Sequence, residues 1–148
     1  MFKVALVGLV GLISCIASAG GEVTSIIKKH CANEWGKDYS MVEYCVNNEI
    51  EAFNKIVDYN NLIKDSPLQL ALRDKCAAKY DSFRMRNYCI EKEDKALQEV
   101  IEIHKSHKGT ISFNILETCG NKWGDDYSMI MYCHEKNLKS YNKLNKIN

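Results

Sequence analysis

Residues 119–133, CGNKWGDDYSMIMYC, have a near copy in residues 31–45, CANEWGKDYSMVEYC, and a looser one in residues 76–89, CAAKYDSFRMRNYC. Aligned on their cysteines, the copies share an aromatic four residues after the first Cys (Trp35, Tyr80, Trp123), then a short polar residue (Asp38, Ser82, Asp126). A further aromatic (Tyr39, Phe83, Tyr127), a methionine (Met41, Met85, Met129) and a tyrosine just before the second Cys (Tyr44, Tyr88, Tyr132) complete each copy. The likeness runs on to a small residue (Ala52, Ala96, Ser140) and large apolar ones (Phe53 and Ile56, Leu97 and Val100, Tyr141 and Leu144). First cysteines fall at 31, 76 and 119, a period of about 44 residues, where a repeating unit is usually a pair of helices.

The punctuation of one repeat fits an αα-hairpin. Asp38, Ser82 and Asp126 are N-cap residues, whose side-chain oxygens accept from the orphan N–H groups of a first helical turn. Downstream of Asp38, Val42, Cys45, Val46, Ile50, Phe53, Ile56 and Val57 recur at helical spacing, so one stripe faces a core. Gly36 and Gly124 follow the tryptophans, where a helix ending in the left-handed region favours glycine. Repeat two lacks this glycine and is one residue shorter, so its turn must differ. The paired cysteines sit at similar depth on antiparallel helices, where a disulfide closing so short a loop contributes roughly 3 kcal/mol in the chain-entropy model.

Residues 1–19, MFKVALVGLVGLISCIASA, place Lys3 before an apolar run and end in Ala17-Ser18-Ala19, the small-x-small pattern of a signal peptide. The run is too short for a retained membrane span. Leu12-Ile13-Ser14-Cys15 offers an alternative, a lipobox that would make Cys15 a lipid anchor. Seven cysteines less Cys15 leave an even set, which in an exported chain reads as a disulfide framework. Repeat symmetry selects Cys31 with Cys45, Cys76 with Cys89, and Cys119 with Cys133. Removing Lys3 with its segment leaves equal numbers of basic and acidic residues, so no field of one sign recruits nucleic acid or an anionic membrane.

The expected fold is all-α: one helical domain over residues 20–148 built of three tandem αα-hairpins, about 22–61, 66–105 and 110–148. The first helix is expected from about Glu22 to Trp35 and the second from Tyr39 to about Tyr59, with Asn60-Asn61 as the break. Ser66-Pro67-Leu68-Gln69 reads as a capping box with Pro at the first helical position. Glu91 and Lys95 have the spacing of a helical ion pair. The hairpins are expected to stack through the faces bearing Ala52, Ala96 and Ser140, since such repeats bury a core only together.

The pattern C-x3-W-x2-D-Y-x-M-x2-Y-C, carried by repeats one and three, resembles that of small exported bacterial proteins of uncharacterised function. The resemblance spans nearly all of the chain after residue 21 and implies the fold and compartment. It implies no activity, cofactor or catalytic residue.

Candidate chemistry is sparse. The repeated aromatics and methionines read as core packing around the disulfides. His104 and His107 form an H-x-x-H pair with no third ligand fixed by spacing, so no metal site is assigned. His134 beside Cys133 suggests a Cys–His nucleophile, but neighbours on a helix point about 100° apart and the sulfur is expected to be oxidised. With no catalytic residues and no cofactor assigned, the leading expectation is a non-enzymatic interaction module, periplasmic or extracellular, whose partner is another protein. The alternative is a secreted enzyme with a site assembled across repeats, where Arg73, Arg84, Arg86 and the histidines differ between copies.

Overall fold

A computed structural model describes the backbone over residues 16–146 and side chains from residue 21. Cys15 and most of the expected signal segment 1–19 lie outside the described residues. Six helices occur in order: α1 (Ile16–Trp35), α2 (Tyr39–Ile63), α3 (Pro67–Lys79), α4 (Phe83–Ser106), α5 (Ile111–Trp123) and α6 (Tyr127–Leu144). No strand occurs among the described residues, so the protein is all-α. Contacts divide the chain into two compact units, one ending at Glu51 and one beginning at Ala52, with the boundary inside α2.

Each helix pair carries the disulfide that symmetry selects: Cys31–Cys45, Cys76–Cys89 and Cys119–Cys133. Their Cα separations of 5.7, 5.7 and 5.8 Å are those at which the bond forms without moving backbone. The inter-helix turns follow from local chemistry. Asp38 accepts from the Met41 amide at 3.2 Å, Ser82 from Met85 at 3.3 Å and Asp126 from Met129 at 3.1 Å, each satisfying a first-turn donor. Hydrogen bonds from Ser40 and Met41 hold the Asp38 carboxyl below its usual range. Gly36 and Gly124 adopt φ of 58° and 62°. Repeat two instead ends α3 with Tyr80 in extended conformation, and Arg86 Nε donates to the Tyr80 carbonyl at 2.5 Å. There a side-chain donor satisfies the carbonyl of the C-cap residue, and no positive φ is needed.

Three boundaries differ from expectation. α1 begins at Ile16, so Gly20-Gly21 does not interrupt it. α2 continues through Asn60-Asn61 to Ile63, whose buried side chain favours one more turn over a break. Ser66 caps α3 by backbone geometry alone, and Pro67 takes the first position, but the capping box does not form. Gln69 is drawn elsewhere, donating at 2.7 Å to Asp94, which also accepts from the Tyr59 hydroxyl at 2.9 Å. Burial together with that carboxylate raises the Tyr59 phenol well above its ordinary pKa. Glu91 accepts from Asn87 rather than pairing with Lys95, which reaches Glu99.

Within the second unit, successive hairpins share cores. Ile56 and Tyr59 of α2 pack on a cluster of Leu72, Cys76, Ile90 and Leu97, and the Phe53 and Phe83 rings meet edge to face at 5.1 Å. One repeat later, Ala96 joins Leu116, Cys119, Ile130 and Met131, with Val100 and Ile103 against them. Glu93 reinforces that junction, accepting from the backbone amide and the hydroxyl of Ser128 in the first turn of α6. A buried carboxylate from α4 thus helps cap α6, where negative charge also complements the helix dipole. Ala52 and Ala96 are buried as expected, whereas Ser140 is exposed and its hydroxyl donates to the Lys136 carbonyl. Among the described residues, stacking therefore does not use the third of these positions.

Candidate functional site

Three places carry side chains that the fold does not consume. First are the tyrosines directly before each second cysteine. Tyr44, Tyr88 and Tyr132 are 58, 59 and 58% exposed, which corrects the expectation that they pack around the disulfides. The cause is angular: a residue adjacent to an inward-facing cysteine is turned about 100° from it around the helix. Tyr39 is also largely exposed, and Met85 is partly so. Trp35 is likewise partly exposed, whereas Trp123 and Tyr127 lie against the cores and Phe83 against Phe53.

Second is a cleft of about 260 Å³ bordered by α2, α3 and α4. Phe53, Ile56, Phe83 and Ile90 supply apolar walls, while Asn60, Arg73 and Arg86 supply the polar groups. Arg73 donates through Nε and Nη2 to Asp74, at 2.8 and 2.5 Å, and through Nη1 to Asn60 at 3.3 Å. The Arg86 guanidinium lies 5.3 Å from the centre of the Phe83 ring, a cation–π arrangement. Of the arginines that vary between repeats, the fold brings Arg73 and Arg86 together and leaves Arg84 on an exposed face outside the cleft.

Third are the histidines at the end of repeat two, in the linker after it and in repeat three. The His104 ring tilts against Phe113 at 5.2 Å, and His107 Nδ1 lies 2.9 Å from Ser106 Oγ. Among the described residues no three His, Cys, Asp or Glu side chains converge as a metal site. Sequence reading missed the partner of His134, whose Nε2 lies 2.8 Å from Ser112 Oγ. A hydroxyl on an imidazole invites a nucleophile–base reading, yet the surroundings oppose it. Nδ1 is buried with no partner, and an unmet acceptor is easier to tolerate than an unmet N–H. The proton therefore belongs on Nε2, donated towards Ser112, the reverse of what a general base requires. Burial also lowers the His134 pKa, with contact to Ser112 and the Glu135 charge pulling the other way. At only 4% exposure His134 is a core residue, where repeats one and two have Val46 and Ile90.

The architecture defines a class: tandem helical hairpins, each closed by one disulfide. The disulfides are consistent with an oxidising, exported setting, and no described helix is long and apolar enough to cross a membrane. Compared with known proteins, the chain matches no family model, no curated protein and no solved structure.

Proposed function

We propose that this protein is an exported, non-enzymatic interaction module, acting in the periplasm or outside the cell and binding another protein rather than nucleic acid. One observation carries the reading. Repeat two has lost the tryptophan, the turn glycine and the Asp cap of its neighbours, yet Tyr88 remains, as exposed as Tyr44 and Tyr132. None of the three hydroxyls has a hydrogen-bond partner among the described residues. A residue kept in every copy without a packing role is kept for what it meets outside. Tyrosine suits that use, offering a large rigid face and a polar tip at little entropic cost. Export and release after Ala19, with lipid attachment at Cys15 as the alternative, and kinship with the bacterial repeat proteins described above belong to the same proposal.

The test is capture from envelope extract by the oxidised protein and by a Tyr44→Ala, Tyr88→Ala, Tyr132→Ala variant. A specific protein retained by the first and lost by the second, with disulfides and helical content unchanged, is the expected result. Equal capture by both, or none by either, would overturn the proposal.

A further inference from the structure

The arginine cleft of repeat two has a counterpart that shows what it replaces. Arg73 stands three residues before Cys76 and Arg86 three before Cys89. The same two positions in repeat three hold Leu116 and Ile130, 4 and 3% exposed in that repeat's core. A cleft borders both pairs, about 340 Å³ beside the aliphatic side chains of repeat three and about 260 Å³ beside the guanidinium groups of repeat two, so what differs is the charge on the wall. The two cations are not equally balanced. Arg73 is paired with Asp74. Arg86 gives Nε to the Tyr80 carbonyl, while its terminal nitrogens have no partner and no carboxylate within ion-pair distance among the described residues. A half-buried guanidinium over an aromatic ring has lost part of its hydration without gaining a counter-ion, an arrangement that a ligand anion would complete.

We infer that this cleft binds a small amphipathic monocarboxylate. Its aliphatic chain or single aromatic ring lies among Phe53, Ile56, Phe83 and Ile90, and its carboxylate pairs with Arg86. The volume of about 260 Å³ is near the lower end for ligand sites, which sets the size class. Planar, bidentate pairing favours a carboxylate with this residue. The site stands apart from the tyrosines and does not depend on the interaction reading.

The experiment is an NMR titration of the intact, oxidised protein with octanoate and with 3-phenylpropanoate, and with 1-octanol as a neutral control. At least one acid is expected to saturate at millimolar concentration, shifting amides that border the cleft, with octanol weaker by roughly ten-fold or more. Arg86→Ile, the repeat-three solution, is expected to weaken the acid by a similar factor. Because Arg86 also holds the α3–α4 turn, Ala77→Phe serves as a second variant that fills the cleft, which Ala77 lines, and leaves the arginine in place. It too should abolish binding. Failure of both acids to bind, octanol binding as tightly as the acids, shifts away from the cleft, or undiminished binding by folded Ala77→Phe would each overturn the inference.

Discussion

His134 shows how one side chain gives a helical staple a pH dependence. Its position is aliphatic in the other repeats, and here burial makes the charged imidazolium costly. The folded pKa therefore lies below the unfolded value of about 6.5, so the unfolded chain binds more protons in the intervening window. The stabilisation that follows is fully present above about pH 6.5 and is lost as pH falls through the folded pKa. Glu135 opposes this depression and His107 reinforces it. His134→Ile, the residue of repeat two, is expected to remove the dependence. Urea denaturation of both proteins at neutral pH and near pH 5 should show wild type losing stability relative to the variant. A constant difference would mean that His134 does not titrate with folding.

At the scale of the element, the hairpin turns test whether local chemistry sets the helix ends. Gly124, at φ 62° and ψ −110°, has open space where a Cβ would sit, so the penalty for adding one is conformational rather than steric. Gly124→Ala is expected to cost about 1–2 kcal/mol. Gly120, four residues earlier inside α5, has equal space but helical backbone, and Gly120→Ala should stabilise by up to about 1 kcal/mol. The same substitution with opposite signs, read from thermal or urea denaturation, isolates backbone geometry; matching signs would refute the assignment. These features were legible in sequence because they are local: caps, turn glycines and cysteine pairs lie within a few residues of what they control. The capping box at Ser66 failed for the complementary reason, since Gln69 is claimed by Asp94 from another helix. The exposure of the tyrosines is less legible, because a residue adjacent in sequence to a core-facing cysteine points about 100° away from it around the helix. Neither the Arg73–Arg86 cleft nor the His134–Ser112 contact is marked by a motif, and comparing equivalent positions between repeats is what exposes both.

Across the molecule, stability should depend on which hairpin follows which. Near the end of the second helix of repeat two, Ala96 and Val100 pack with α5 and α6, Glu93 is joined to Ser128, and Leu97 lies in the adjoining core that Tyr127 of α6 borders. The matching positions of repeat three, Ser140, Tyr141 and Leu144, are all exposed. Equivalent residues thus differ in burial: one face is covered by the next hairpin and the other is exposed among the described residues, the pattern of nearest-neighbour repeat packing. Glutamate is a direct probe of that difference. At Ala96 it would bring a charge and excess volume into a core of Leu116, Cys119, Ile130 and Met131, at a cost of about 3 kcal/mol or more. At Ser140 the same side chain would reach water and change stability by no more than about 0.5 kcal/mol. Denaturation midpoints of the two full-length variants give the contrast, and hydrogen exchange locates it: Ala96→Glu should lower protection in α5 and α6, while Ser140→Glu leaves it unchanged. Similar costs at the two sites would mean that repeats two and three are held by their own disulfides and turns, with little contribution from the face between them.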